Sequence, residues 1–329
     1  MTAYLGAAVD SELEASINKG MQQVEDLLRL EIASGADFLT DKVSHLAVAG
    51  GKRFRPMFAL LASQYGANPG CTNVVKAGVV VEMTHLATLY HDDVMDEAPT
   101  RRGVPSANSR WGNSVAILAG DYLLALASNI MAELGVDTVR HFAHTFGVLV
   151  TGQMRETIGA EDRDPVDHYM DVIREKTGVL IAAAGYLGAL HSGASKEHIA
   201  ALEGYGHAIG MVFQIVDDFI DIFSTTGESG KTPGTDLREG VFTLPVLYAL
   251  KEQSPIGDEL RALLTGPLTD DADVARALDL LAQSSGKELA LRDVEHYLSK
   301  AHGFLDELPD CAATDALRSL ADFTASRVG

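Results

Sequence analysis

Residues 85–96 read HLATLYHDDVMD and residues 214–221 read QIVDDFID. Each stretch ends in the pattern DDxxD, formed by Asp92, Asp93 and Asp96 in the first copy and by Asp217, Asp218 and Asp221 in the second. On a helix, residues i and i+4 share a face and i+3 lies beside them. The first and third aspartates of each copy are therefore predicted to project together, with the second on the flank. Carboxylates crowded on an apolar helix repel one another and are costly to desolvate, which favours a bound cation.

Magnesium is the cation that this donor set favours. Hard carboxylate oxygens suit Mg²⁺, which keeps several waters and usually shares its coordination sphere with substrate phosphates. Two facing aspartate clusters can clamp one diphosphate through bridging metal ions. The alternative is a pair of solvated acidic patches at helix ends, and the presence of two copies, each after an apolar helix face, argues against it.

The rest of the chain also has the character of helices. Apolar residues recur near a helical period over residues 11–32, strict alternation is rare, and most prolines fall at breaks between helical segments. We expect helices over 10–33, 40–50, 55–66, 73–96, 113–134, 137–159, 167–190, 196–223, 242–252, 257–264, 271–284, 286–306 and 312–327, and no strand. The composition does not divide the chain, so residues 1–329 are predicted to form one all-α domain.

The charge balance excludes several classes of partner. The 329 residues contain 26 Lys and Arg against 46 Asp and Glu, a net charge of −20, which argues against nucleic acid and against a generic anionic membrane surface. Only two cysteines occur, Cys71 and Cys311, which fits a reduced cytoplasmic protein. We expect neither a signal peptide nor an uncharged apolar run long enough to span a membrane.

Basic clusters are informative in so acidic a chain. GGKRFRP (50–56) places three cations beside a flexible joint, Arg101-Arg102 follows the first aspartate motif, and Lys176 and Lys231 stand near polar or Gly-rich residues. Arginine matches phosphate oxygens in a bidentate way. Ordinary surface charge is the expectation for Arg53 and a weaker explanation for Arg101 and Arg102.

These motifs together resemble those of the trans-isoprenyl diphosphate synthases, the polyprenyl synthetase family. The matching stretches occur in the family's order: GGKRFRP (50–56), HLATLYHDDVMD (85–96), RRG (101–103), GDYLLA (120–125), KTG (176–178), QIVDDFID (214–221) and GKTPGTDL (230–237). The resemblance implies an all-α, single-domain helical bundle around a central cavity, usually as a homodimer.

The resemblance also implies two diphosphate sites. The allylic diphosphate is expected to bind through Mg²⁺, three ions when substrate is bound, to Asp92, Asp96 and Asp217, supported by Asp93, Asp218 and Asp221. Its phosphates are expected to contact Arg101, Lys176 and Lys231, with Thr177 and Gln214 at the reacting end. Isopentenyl diphosphate is expected to bind Lys52, Arg55, His85 and Arg102.

The implied reaction is alkyl transfer through an allylic carbocation, with residues 227–234 as a plausible lid. The growing product should run along the helix of Asp92, where one turn rises ~5.4 Å. Small residues there, Ala87, Thr88 and Thr84, lead us to expect a long product of about seven to nine isoprene units, which downstream membrane enzymes would use. Met83, Leu124, Ser128 and Met131 are candidates for the floor of this channel.

Several alternatives remain open at this point. Geranylgeranyl or farnesyl diphosphate synthase is the alternative for product length. A terpene cyclase shares the helical cavity and one DDxxD, but the second DDxxD and the basic second site oppose it. A noncatalytic regulatory subunit of a heteromeric synthase belongs to another class, and the complete aspartate motifs oppose it.

Overall fold

The computed structural model describes residues 10–35, 37–224 and 233–328. Its first part contains α1 (Ser11–Ala33), α2 (Asp37–Val43), α3 (His45–Val48), α4 (Phe54–Ala62), a 3₁₀ turn (Ser63–Tyr65) and α5 (Thr72–Met95). Helix α1 begins at Asp10, whose carboxylate accepts hydrogen bonds from the backbone N–H groups of Glu12 and Leu13. This is the usual way in which an aspartate satisfies the free donors at a helix start.

A short β-hairpin follows α5, where no strand was expected. Strands β1 (Thr100–Arg101) and β2 (Val104–Pro105) pair antiparallel, with Thr100 opposite Pro105. The two residues between them, Arg102 and Gly103, have φ values of 54° and 77°. Two consecutive left-handed residues make the tight turn that suits the twist of paired strands. The hairpin turns the chain back toward α5 and places Arg101 against Asp93 of the first aspartate motif.

The central helices provide most of the core. They are α6 (Ala107–Trp111), α7 (Asn113–Leu134), α8 (Val136–Ile158), α9 (Pro165–Ile173), a π-helical turn (Arg174–Gly178), α10 (Val179–Ser192) and α11 (Lys196–Phe223). Helix α10 is apolar on all sides and almost completely buried. It is rich in Ala and Gly because its neighbours approach so closely that a Cβ on Gly188 would lie 2.1 Å from the Ala59 carbonyl oxygen.

The C-terminal helices cover the outer side of α11. They are α12 (Thr235–Glu239), α13 (Leu244–Lys251), α14 (Pro255–Leu263), α15 (Asp271–Gln283), α16 (Gly286–Leu305) and α17 (Ala312–Ser326). Helix α16 packs along α11, and the Tyr205 hydroxyl on α11 donates to the Leu317 carbonyl on α17 at 2.8 Å. The described helices thus form the expected all-α domain.

Among the helices of the described residues, two are apolar and long enough to cross a membrane by length and composition alone, α7 and α11. Packing accounts for the apolar character of α11, because 67% of its apolar window is buried inside the fold. The corresponding share of α7 is only 44%. Part of the apolar surface of α7 is therefore exposed in the isolated chain.

Candidate active site

A cavity of about 880 Å³ lies between α5, α7, α8, α10 and α11. Its wall includes Asp92 from the first aspartate motif and Asp217 from the second. These two carboxylates come from distant parts of the sequence and face one space. The lining includes basic side chains, among them Lys52, Arg55 and Arg102, and apolar ones such as Leu149 and Leu180. It can therefore hold an anionic group and an apolar chain at the same time.

Charged groups surround Asp92 at the mouth of the cavity. Burial, and secondarily repulsion from Asp96, raises the pKa of Asp92 to about 6. Asp96 caps the end of α5, is exposed and does not itself line the cavity. Lys176 Nζ lies 2.5 Å from Oε2 of Glu156. Burial lowers the pKa of Lys176, but the carboxylates of Asp92 and Glu156 outweigh it and the net shift is upward. Lys176 thus stays cationic beside Asp92.

Asp93 does not line the cavity. It is completely buried, and Nε of Arg101 donates to its Oδ1 at 2.6 Å. Burial raises its pKa, and within the described part of the chain its Oδ2 has no hydrogen-bond partner. Arg101 itself lines the cavity. This placement argues against direct metal contact by Asp93 and makes it the counter-ion that orients Arg101.

The second aspartate motif divides its three carboxylates between different surroundings. Asp217 lines the cavity and forms an ion pair with Arg327 at 3.0 Å. Asp218 and Asp221 are buried and do not line the cavity. Burial raises the pKa of Asp218 to about 7, and Oδ2 of Asp221 accepts from the backbone N–H of Asp236 at 3.1 Å. Of the three, only Asp217 is placed to meet a substrate directly.

A π-helical turn carries Lys176 and Thr177 into the site. Residues Arg174–Gly178 interrupt the α-helical pattern between α9 and α10. Such wide turns are rare and are frequently found at functional sites. Thr177 Oγ1 donates to Oε1 of Gln214 on α11 at 3.1 Å, and both side chains line the cavity. The predicted reacting end is thus formed by the π-helical turn and α11.

The four residues expected to bind a second anion lie together at the basic end of the cavity. They are Lys52, Arg55, His85 and Arg102. Burial, together with repulsion from Arg102, lowers the pKa of Arg55 to about 10. Its buried Nε has no hydrogen-bond partner in the part of the chain that the structure describes. An unpaired buried guanidinium donor is costly, and a bound phosphate would supply the missing acceptor.

His85 is neutral in this surrounding. Burial, reinforced by the positive charges of Arg55 and Arg102, lowers its pKa well below the usual value. A neutral imidazole still offers one N–H donor to an anion. His85 can therefore contact a phosphate as a hydrogen-bond donor and not as a cation.

Glycines in the loop before α4 permit the close contact with Arg102. Gly50 and Gly51 have φ values of 96° and 146°, in a region that favours glycine. A Cβ on Gly51 would lie 2.8 Å from the Arg102 guanidinium. Arg102 Nη1 donates to the carbonyl oxygens of Leu46, at 2.9 Å, and Gly50. The loop and the hairpin are thereby locked together at the basic end.

Arg53 is not ordinary surface charge, and the expectation for it was wrong. Its side chain is only 8% exposed and bridges Glu25 at 2.5 Å and Glu82 at 2.7 Å. It also donates to the Ala47 carbonyl at 2.8 Å and adopts a left-handed backbone with φ of 50°. These three acceptors hold a residue whose backbone conformation is uncommon. Arg53 therefore fixes the loop that presents Lys52 and Arg55.

The carboxylates facing the cavity fit a hard divalent cation in their chemistry. Asp92, with its raised pKa, and Asp217 both supply oxygen ligands. Among the residues that the structure describes, no group of three His, Cys, Asp or Glu side chains is close enough to hold an ion alone. This agrees with ions that take part of their coordination from substrate phosphates.

The apolar part of the cavity runs between α5, α7 and α8. Its lining includes Thr88, Leu124, Phe146, Leu149 and Leu180. Of the residues expected to set product length, Thr88 therefore lies on the wall, whereas Ala87 and Thr84 are completely buried and do not line the cavity. Among the floor candidates only Leu124 lines it, and Met83, Ser128 and Met131 do not.

Two sequence expectations fall outside the described residues, and three contacts were not foreseen. Lys231 and most of the expected lid, residues 227–232, belong to the part of the chain that is not described.

The three contacts that the sequence did not predict are those of Glu156 with Lys176, of Tyr169 with Asp218 and of Arg327 with Asp217. The two residues of each pair are far apart in sequence, so no local pattern marks the contact.

Known proteins resemble this chain over nearly its whole length. The sequence model of the Polyprenyl synthetase family matches residues 36–281. A nonaprenyl diphosphate synthase of Mycobacterium tuberculosis is 52% identical over 97% of this chain and 96% of its own. A solved structure of similar fold is that of a geranylgeranyl pyrophosphate synthase from Corynebacterium glutamicum, crystallised with calcium and isoprenyl diphosphate. It is 65% identical in sequence with a TM-score of 0.91, and the match covers 97% of this chain and 98% of the other. A decaprenyl diphosphate synthase from Rhodobacter capsulatus is 32% identical, with a TM-score of 0.86 and coverage of 97% and 99%.

Proposed function

Because the chain belongs to the polyprenyl synthetase family, we propose that its cavity joins isopentenyl diphosphate to an allylic diphosphate, giving a linear all-trans polyprenyl diphosphate. One observation carries this proposal. One cavity is lined both by Asp92, Asp217 and Lys176 and by a second set of basic side chains that includes Arg55 and Arg102. A reaction between two diphosphate esters requires such a pair of sites.

Mg²⁺ is the metal proposed for the carboxylate end, and Asp92, Asp96 and Asp217 are the residues proposed to hold it. When bound, Mg²⁺ would neutralise the diphosphate and make it a better leaving group. The proposed number of ions, three, rests on the family resemblance. The presence of calcium and isoprenyl diphosphate together in the relative from Corynebacterium glutamicum supports a divalent metal.

The side chains of this protein supply the rest of the mechanism. Lys176 and Arg101 line the cavity, and their positive charges stabilise the negative charge that develops on the departing diphosphate. The oxygens of Thr177 and Gln214 face the allylic carbon as it becomes positive. Phe146, Leu149 and Leu180 exclude water, which would otherwise capture the carbocation. Arg55, Arg102 and neutral His85 hold the second diphosphate so that its double bond can attack.

A long product of about seven to nine isoprene units is the proposed outcome. The 52% identity to a nonaprenyl diphosphate synthase supports it, as does the small side chain of Thr88, the one of the three expected length-setting residues that lines the cavity. The product would then pass to membrane enzymes. A geranylgeranyl product is the second candidate, because a synthase of that kind is 65% identical.

The decisive experiment supplies purified protein with radiolabelled isopentenyl diphosphate, Mg²⁺ and allylic primers of different lengths. Chromatography of the dephosphorylated products should show a ladder that ends near seven to nine units. A ladder that ends at four units would establish the geranylgeranyl alternative. A cyclic hydrocarbon would indicate a terpene cyclase, and binding without elongation would indicate a noncatalytic subunit.

A homodimer is also part of the proposal. Helices α7 and α8 expose apolar side chains on one side, including Ile117 at 42%, Leu118 at 65%, Val150 at 41% and Met154 at 58%. Exposed apolar patches of this kind mark interaction sites, and three of these residues also line the cavity. A second copy covering this face would shield the product from water. Sedimentation analysis should give a dimer that Leu118→Glu dissociates.

A cytoplasmic location is proposed from the composition alone.

A further inference from the structure

A chain of hydrogen bonds leads from the cavity into the core. Thr177 Oγ1 donates to Oε1 of Gln214 at 3.1 Å. Nε2 of Gln214 donates to Oδ1 of Asp218 at 2.8 Å. The Tyr169 hydroxyl donates to Oδ2 of the same carboxyl group. Thr177 and Gln214 line the cavity, whereas Asp218 and Tyr169 lie behind it.

This chain decides which end of the Gln214 amide faces the cavity. An amide presents two N–H donors at one end and an acceptor oxygen at the other. Oδ1 of Asp218 accepts a hydrogen bond, so the nitrogen end must point toward Asp218 and the oxygen end toward Thr177. The Thr177 hydroxyl uses one lone pair of that oxygen. The other lone pair remains for a group in the cavity.

Tyr169 holds the far side of the Asp218 carboxylate. Its hydroxyl donates to Oδ2, so Oδ1 is the oxygen that accepts from Gln214. A residue at position 218 that keeps its acceptor toward Tyr169 would therefore turn its other side toward Gln214.

The surroundings of Asp218 leave it no contact with the cavity. Its two oxygens are used by Tyr169 and Gln214, and the residue is buried at 8% exposure. Asp217, its neighbour, projects from a different side of α11 and does line the cavity. Gln214 and Asp218 stand four residues apart on one face of the helix. The two adjacent aspartates thus have different tasks.

We propose that Asp218 and Tyr169 are positioning residues that turn the Gln214 amide oxygen toward the reacting allylic carbon, and that Asp218 does not bind metal. This inference rests on the proposed reaction, in which positive charge develops on that carbon. An oxygen fixed in advance stabilises the charge without reorganisation. An amide turned the other way would present N–H groups and repel it.

The test compares Asp218→Asn with Asp217→Asn. Asparagine keeps the shape of Asp218 but can turn an N–H₂ group toward Gln214 and favour the opposite amide orientation. We expect kcat to fall roughly 10–100-fold, somewhat less than the roughly 100–1,000-fold that the complete loss of one oriented dipole costs, because the amide is turned and not removed. The KM values for both diphosphates should change less than about twofold, since neither diphosphate contacts this group.

Metal binding gives a readout that does not depend on turnover. Titration of Mn²⁺ in the presence of inorganic diphosphate should give nearly the same dissociation constant for Asp218→Asn and the wild type, and a much weaker one for Asp217→Asn. Equal weakening in both variants would overturn the inference by making Asp218 a metal ligand. A wild-type protein that elongates no primer would count against the proposed reaction, while this titration would still decide the metal question.

A double-mutant cycle tests whether Asp218 acts through Gln214. Gln214→Met removes the amide at similar volume, so adding Asp218→Asn should lower kcat no further. A full additional loss would show another route and contradict the inference. Tyr169→Phe should lower kcat less than Asp218→Asn does. Circular dichroism melting of each variant separates these effects from unfolding.

A fluorinated allylic diphosphate examines the charge directly. Fluorine near the reacting carbon destabilises the carbocation and slows ionisation. If Gln214 stabilises that charge, Asp218→Asn should be slowed more than the wild type by the fluorinated substrate. An unchanged ratio would mean that the loss in kcat arises at another step.

Discussion

Nη1 of Arg327 lies 3.0 Å from Oδ1 of Asp217, so the residue after the last helix reaches the first carboxylate of the second aspartate motif. The pair is partly exposed, with the side chains 26% and 39% accessible. Arg327 therefore neutralises Asp217 when no other cation is near, and it competes with a metal ion for the same oxygen.

Replacing Arg327 should strengthen metal binding by the substrate-free protein. Arg327→Gln removes a positive charge from Asp217, and exposed pairs of this kind contribute about 0.2–1 kcal/mol. Calorimetric titration with Mn²⁺ should show a dissociation constant lower by up to about fivefold. Arg318→Gln, which breaks the pair between Arg318 on α17 and Asp306 at the end of α16, is the control and should change nothing. Weaker metal binding in Arg327→Gln would mean that Arg327 holds Asp217 in a binding position.

Removing Arg53 should destabilise the fold strongly. Arg53→Ala leaves the nearly buried carboxylate of Glu82 without its partner, and breaking a buried pair on one side costs about 3–5 kcal/mol. Urea unfolding measures this free energy. Arg292→Ala breaks an exposed pair with Glu288 and should cost under about 1 kcal/mol. Similar values for the two variants would show that Arg53 behaves as surface charge after all.

Bulk at Thr88 should shorten the product. Thr88 lines the cavity close to Asp92, and its hydroxyl donates to the His85 carbonyl at 2.8 Å. Thr88→Phe fills the space along α5, so chromatography should show products shorter by several isoprene units. Thr88→Ser keeps the hydroxyl and should leave the length unchanged. An unaltered ladder from Thr88→Phe would remove this residue from the channel wall.

Acid should destabilise the fold partly through His141. Burial, and secondarily the charges of His144 and His207, lowers its pKa to about 4. The unfolded chain, with a histidine pKa near ~6.5, binds more protons between these values. Stability is therefore complete above pH ~6.5 and falls as the pH drops toward 4, by up to about 1 kcal/mol per pH unit.

Melting temperatures at pH 7.5 and 5.0 test this expectation. The loss between the two should be smaller in His141→Gln than in the wild type. His296→Gln removes an exposed histidine and should melt with the same pH dependence as the wild type. An identical pH dependence in all three proteins would contradict the role of His141.

Much of the fold followed from local pattern, but two features did not. Helical periodicity predicted the long helices within a few residues, for example 113–134 against Asn113–Leu134. The hairpin at Thr100–Pro105 was missed because each strand has only two residues, too few for any alternation. The π-helical turn was missed because one additional residue in a helix leaves no mark on composition.

The site could be predicted where motifs carry it, and not where long-range contacts decide. Spacing alone indicated that Asp92 and Asp217 serve one site, and both face the cavity. The spacing predicted that Asp93 and Asp218 are equivalent flanking ligands. In the structure, Arg101 donates a hydrogen bond to Asp93, whereas Tyr169 donates one to Asp218. Such differences depend on which neighbour packs behind each helix, and that information is distributed over the whole chain.

The π-helical turn at Arg174–Gly178 weakens the helical hydrogen bonding and orients the side chains of Lys176 and Thr177 in the same few residues. A regular helix through this region would be better hydrogen-bonded, but every side chain beyond it would be rotated by about 100°, the angle of one residue in a helix of 3.6 residues per turn. Thr177 would then leave Gln214, and Lys176 would leave Asp92. Deleting a single residue here would thus give a more stable, regular helix in which Lys176 and Thr177 no longer face the cavity.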